Sequence, residues 1–178
     1  MALASGNRTL AAHIAIFFEG VAYTSPSSGT CARESKPGAS DTGWIKIGAV
    51  TDFAVTHDKT EIEIMKPVPG RRVRWDMIHT DQKLDLAFTV DEVRAEMVEL
   101  LFGSLALNAS STQFNPLEGA EKRCWLKVQW YDNTNTLVNT VDFWVIISID
   151  GEVTANNQLH TFPVAAKVLH STLNTGTI

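Results

Sequence analysis

The chain has 178 residues, 44% hydrophobic and 20% charged, with 15 Lys plus Arg against 20 Asp plus Glu and a net charge of −5. These values exclude a disordered chain. The acidic balance argues against a protein that wraps nucleic acid, which needs a basic face. A single domain of this size buries roughly two-thirds of the surface its unfolded chain exposes, so it needs neither a metal nor a disulfide for stability. The first predicted strand runs from Thr9 to Phe18, where Leu10, Ala12, Ile14, Ile16 and Phe18 fall on one face at period two. It is also the only run resembling a targeting segment. It is shorter than the about 20 apolar residues that cross a bilayer, and His13 and Glu19 interrupt it as a signal core. No membrane segment is therefore expected.

Thr24 to Gly43 is rich in Ser, Gly, Pro and Thr and lacks an apolar period, so it reads as a long loop, either mobile or ordered against a partner. Strands return at Trp44 to His57, where Gly48 marks a bend. Thr60 to Met65 alternates, with Ile62 and Ile64 on one face and Glu61 and Glu63 on the other. Pro67 to Gly70 carries a turn signal. Arg71 to Ile78 sets Val73 and Trp75 opposite Arg72 and Arg74, and Lys83 to Thr89 puts Leu84, Leu86 and Phe88 on a buried side.

One helix is predicted. Thr89 and Glu92 have the spacing of a capping box. Val93, Met97, Leu100 and Leu101 form an apolar stripe, and Gly103 ends the segment. Residues 104–120 form a second long loop. A hairpin follows, in which Cys124, Leu126, Val128 and Trp130 alternate with Arg123, Trp125, Lys127 and Gln129. Asp132 to Asn135 turns it into a strand from Leu137 to Ile149. A last strand runs from about Leu159 to His170, and residues 171–178 read as a free C-terminal arm. Strands, one helix and strands again imply a mainly β, single-domain chain over 1–178. The expected architecture is an antiparallel β-sandwich or partly closed barrel with one packed α-helix and long loops.

Chemistry-bearing patterns are sparse. There is no phosphate-binding glycine loop, no paired-cysteine zinc spacing and no nucleophile elbow, so neither catalysis nor a cofactor is expected. His57-Asp58 and His79-Thr80-Asp81 offer metal-type ligands only if the fold brings them together. Cys31 and Cys124 are too few for a secreted framework, and free thiols are expected, with a bridge between them as the alternative. Lys66, Arg71, Arg72 and Arg74 form the one basic cluster. It reads as a nucleic-acid site, a solvated strand face or a contact with an acidic neighbouring subunit, for which Asp91, Glu92, Glu96 and Glu99 are the candidates.

The order and spacing of these segments resemble the major tail tube proteins of long-tailed bacteriophages. The likeness is carried by Gly43-Trp44-Ile45-Lys46-Ile47-Gly48-Ala49-Val50-Thr51-Asp52-Phe53, the alternating strand Thr60 to Met65, and Gln82 to Thr89 with the capped helix after it. Val141-Asp142-Phe143-Trp144-Val145 and the C-terminal strand add to it. It covers about Gly43 to Ser171, with no diagnostic motif. The resemblance implies a structural virion protein, made in the cytoplasm of a bacterial host, whose partners are itself and other tail proteins. Hexameric rings would stack into a hollow tube that delivers viral DNA without binding it. Six chains at −5 give about −30 per ring, and a like-charged channel repels DNA. Glu61, Glu63 and Asp85 are the expected lumen-facing acids, and Arg71, Arg72 and Arg74 with Asp91, Glu92, Glu96 and Glu99 the expected subunit interface. Alternatives are another tail or secretion-tube ring protein on the same fold, or a carbohydrate-binding β-sandwich using exposed Trp125 or Trp144.

Overall fold

The alternating segments fold into ten strands in the computed structural model, which describes residues 9–25, 27–91, 121–132, 134–152, 154–155 and 160–177. They are β1 (Thr9–Phe18), β2 (Ala22–Tyr23), β3 (Gly29–Thr30), β4 (Ile45–Val68), β5 (Arg71–Val90), β6 (Lys122–Asp132), β7 (Leu137–Ile149), β8 (Thr154–Ala155), β9 (His160–Val168) and β10 (Thr175–Thr177). Among the described residues every pairing between them is antiparallel.

The sheet runs β7-β6-β1-β4-β5-β9, and β9 pairs back to β7 through Val145–Ile149 and Val164–Val168, so six strands close a ring. The chain is thus mainly β, and of the two architectures expected the barrel is the one adopted. Period two then decides what fills it. Ile14 and Ile16 of β1, Leu126 and Val128 of β6, and Val145 and Ile147 of β7 point inward with Ile47, Leu86, Phe88 and Val164, all buried. Each such side chain contributes roughly 1.5–3 kcal/mol of transfer free energy.

A second apolar cluster lies on the outer side of the barrel. Trp125 and Trp144 are cross-strand partners on β6 and β7, with ring centroids 5.6 Å apart, and they pack with Phe17 and Cys31. The segment between β1 and β4 covers them. Its long loop is therefore ordered against its own barrel and is neither a floppy connection nor a segment awaiting a partner. The Trp125 indole N–H donates to the Ala32 carbonyl at 2.9 Å, and the Trp44 indole N–H to Gly38 at 2.8 Å. Asp41 knots the loop ends together. Its carboxylate accepts backbone N–H bonds from Gly43 (3.0 Å), Thr24 (2.8 Å) and Ser25 (3.0 Å). The Gly43 bond, then those from Thr24 and Ser25, hold its carboxyl below the ordinary aspartate range.

The C-terminal segment is not a free arm. Ser171 Oγ donates to the Arg33 carbonyl at 2.7 Å, Asn174 accepts from the Trp144 backbone, and β10 pairs with Thr140–Asp142 of β7. The pairing satisfies an edge of β7 that β9 does not reach, which composition alone did not signal.

The predicted helix lies outside the described residues beyond Asp91, as do Glu92, Glu96, Glu99 and the loop 104–120. Thr89 and Val90, expected at its cap, are strand residues paired to Pro163 and Phe162 of β9. Four predicted strands between Trp44 and Thr89 are only two. The breaks expected at Asp58–Lys59 and His79–Gln82 are bridged because Asp58, Lys59, His79, Asp81 and Gln82 each find a partner across one ladder, with Thr80 and Trp75 bulged out of register.

Candidate assembly surface

β4 and β5 are much longer than the barrel requires. β4 pairs with β1 only through Ile45–Val50, and β5 with β9 only through Asp85–Val90. Between these limits the two strands pair with each other alone. They form a ribbon from about Ala54 to the turn at Pro69-Gly70 and back to Leu84. At about 3.3 Å per residue the arm reaches roughly 45 Å. Gly70, at φ +82°, takes the left-handed position that a type II turn needs after a proline.

The arm leaves the barrel at a bulge. Register shifts between Thr51 and Ala54, and Asp52 sits there at φ +54°, a conformation aspartate tolerates better than most residues. A bulge bends and twists its strand, which suits a ribbon turning away from the wall.

The register assigns side chains to faces, since directly opposed residues point the same way. One face carries Ile62 opposite Ile78, Ile64 opposite Asp76, and Lys66 opposite Val73. Trp75 belongs here too, because the Lys66 ammonium lies 3.9 Å from its ring centroid. Ile62 (55% exposed), Ile78 (50%) and Trp75 (65%) leave this face open to water. The other face carries Glu61 opposite His79, Glu63 opposite Met77, and Met65 opposite Arg74. Glu61 and the His79 ring are 3.2 Å apart, and Arg74 is ion-paired with Glu63. Both pairs are half exposed and add little to stability.

This geometry sorts the sequence-predicted residues. Glu61 and Glu63 share a face, but Asp85 lies on the opposite one, next in the ladder to Leu86 of the core and opposite Thr56 and Lys167. Arg72 and Arg74 share the Glu61–Glu63 face, so that face is a mixed ladder and not an acidic rail. Arg71, Arg72 and Arg74 sit together at the arm's tip, whereas Asp91 follows β5 at the barrel end, so this chain's own Asp91 cannot meet them.

Other candidates resolve differently. Trp125 and Trp144 are 0% and 1% exposed, so neither is a sugar-stacking platform and that basis for a carbohydrate-binding module is lost. Trp75 is the exposed one, at 65%. Among the described residues no group of His, Cys, Asp and Glu is arranged to hold a metal ion. His57 and His79 are opposite Leu84 and Glu61, at separate rungs of the arm. Cys31 and Cys124 are free and buried; burial pushes the Cys31 thiol up to about 12 and raises that of Cys124 as well. No described helix is long and apolar enough to cross a membrane.

No protein-family model matches the chain, and no curated protein matches it. Among solved structures it is similar to a chain of the anti-feeding prophage (AFP) baseplate, described as a six-fold-symmetrised cryo-EM structure. That similarity has a TM-score of 0.46 and 8% identity, over 99% of this chain and 97% of the other.

Proposed function

We propose that this protein is a structural component of a viral tail that works by binding copies of itself. Six copies form a ring, the rings stack as a hollow tube, and the tube conducts viral DNA into the host. The observation that supports the reading is the arm. An isolated two-stranded ribbon is marginal in water, yet this one exposes Ile62, Ile64, Ile78 and Trp75 on one face. Such a contiguous apolar face on a small acidic protein marks an interaction site. The barrel closes on itself, so the arm's free edges are the natural place for strand-to-strand contact between copies.

In this proposal the apolar patch of Ile62, Ile64, Trp75 and Ile78 lies against the neighbouring copy, and the stretch from His57 to Glu63 on the other face looks toward the channel. Arg74, tied to Glu63, does not offer a bare cation there. The protein is made in the cytoplasm of a bacterial host, resides in the virion tail beside other tail proteins, and performs no enzymatic step. A secretion-tube or terminator ring on the same fold predicts the same arm contacts.

Negative-stain microscopy of the purified protein tests the reading. Rings or tubes are expected, and their loss in I62S/I78S, with the barrel's melting transition unchanged. A wild-type chain that stays monomeric at millimolar concentration would overturn it.

A further inference from the structure

The arm is electrically bipolar. Its distal part, residues 64–76, carries four basic residues, Lys66, Arg71, Arg72 and Arg74, against one acid, Asp76. Its proximal part, residues 54–63 and 77–84, carries four acids, Asp58, Glu61, Glu63 and Asp81, against two lysines, Lys59 and Lys83; Asp52 and Asp85 add to it at the root, where Asp85 is paired opposite Lys167 of β9. The pairing separates these charges along the ribbon. Arg71 and Arg72 sit opposite Val68 and Pro67 at the turn, while Asp81 and Asp85 sit opposite Thr60 and Thr56 near the barrel. Arg74 is partly spent on Glu63 within the chain. Among the described residues no ion pair engages Arg71 or Arg72, and both are exposed.

We infer that the basic tip of one copy's arm seats against the acidic proximal part of the arm in a copy of the next ring, and so fixes the polarity of stacking. This rests on the ring reading above, in which all tips of a ring point the same way. Tips brought against tips place like charges together, and bases against bases do the same; tip on base is the complementary arrangement. The contact is head-to-tail, so it repeats without closing and yields an open-ended stack. It also removes Arg72 from the channel, where a bare cation would hold DNA. The acidic partner in this inference is Asp81 of the other arm, with Asp85 at that arm's root.

Screening distinguishes this contact from the apolar one between neighbours in a ring. The Debye length falls from about 8 Å at 0.15 M salt to about 3 Å at 1 M. Raising salt is expected to break stacks into rings and to leave the rings intact.

The decisive experiment is a double-mutant cycle on the full chain, read by sedimentation and negative stain. R71Q/R72Q and D81N/D85N should each weaken stacking about ten-fold while rings persist. The four-fold variant should be no weaker than either pair alone, because both remove the same contact. R71K/R72K, which keeps the charge, should stack as wild type does. Stacks indifferent to both pairs, or losses that multiply in the four-fold variant, would overturn the inference and leave the ring reading standing. Absence of rings with the non-additive pattern retained in smaller oligomers would support the tip-to-base contact and overturn the ring.

Discussion

β4 and β5 are buried at one end and exposed at the other, though their sequences alternate in the same way throughout. At the barrel end Ile47, Leu86, Phe88 and Val90 are at most 2% exposed. Along the arm Ile62, Ile78 and Trp75 are half exposed or more. Period two tells which residues share a face. It does not tell whether the chain's own fold covers that face, because coverage depends on strands far away in sequence. The arm is the part of the fold whose apolar face stays exposed.

That contrast predicts opposite responses from chemically identical residues. Replacing Trp125 with Ala should cost about 3–5 kcal/mol of unfolding free energy, since a fully enclosed ring and its bond to Ala32 are lost. Trp75→Ala should change protomer stability by less than about 0.5 kcal/mol, yet reduce self-association strongly. Urea denaturation and sedimentation of the two variants provide the check, and equal destabilisation would erase the distinction between the regions.

The loop that caps the outer tryptophans gives a smaller effect. A Cβ added at Gly43 would lie 2.5 Å from Cε2 of Phe17, which is itself fully buried and has little room to yield. Gly43→Ala should therefore destabilise the barrel by about 1–3 kcal/mol, measured by thermal melting, without altering the arm. Preserved stability would show that the cap is looser than its hydrogen bonds indicate.

The smallest effect is one of pH. Asp41 and Asp132 have carboxyls held below their ordinary value. In Asp41 the cause is first the Gly43 backbone N–H; in Asp132 it is first the Thr134 hydroxyl, at 2.7 Å. A folded-state pKa below the unfolded one adds stability above the unfolded value, here 3.8, and loses it as pH falls through the folded value. Asp41→Asn should thus melt below wild type at pH 7, and the gap should close under pH 3.8. A gap that widens in acid would mean the carboxylate is not what ties the loop ends.

Much of the barrel was legible in the sequence. β1 has the predicted bounds, and the hairpin of β6 and β7 with its turn at Asp132 follows the alternation of Cys124, Leu126 and Val128. The outer cluster was not legible, because Trp125 and Lys127 alternate with the core and read as solvent-facing. A polar loop covers them, and Lys127 ends up with its ammonium 3.7 Å from the Trp44 ring centroid. Burial, and to a lesser degree Lys36, draw its pKa below the usual lysine value, against the pull of Asp142. Nor was the length of the arm legible. Asp58–Thr60 and Asp81–Lys83 resemble a loop until each is seen to pair with the other. The basic tip was visible as a cluster. That Asp81 and Asp85 lie nearer the barrel on the same strand as the tip arginines became visible only once the register was known.

Amide hydrogen exchange at two protein concentrations tests the central claim most directly. In dilute, unassembled protein, amides of the arm between Val55 and Leu84 should exchange far faster than those of β1 and β6, and they should gain protection when assembly is driven by concentration. Arm amides as protected as the barrel's in a dilute monomer would contradict the account.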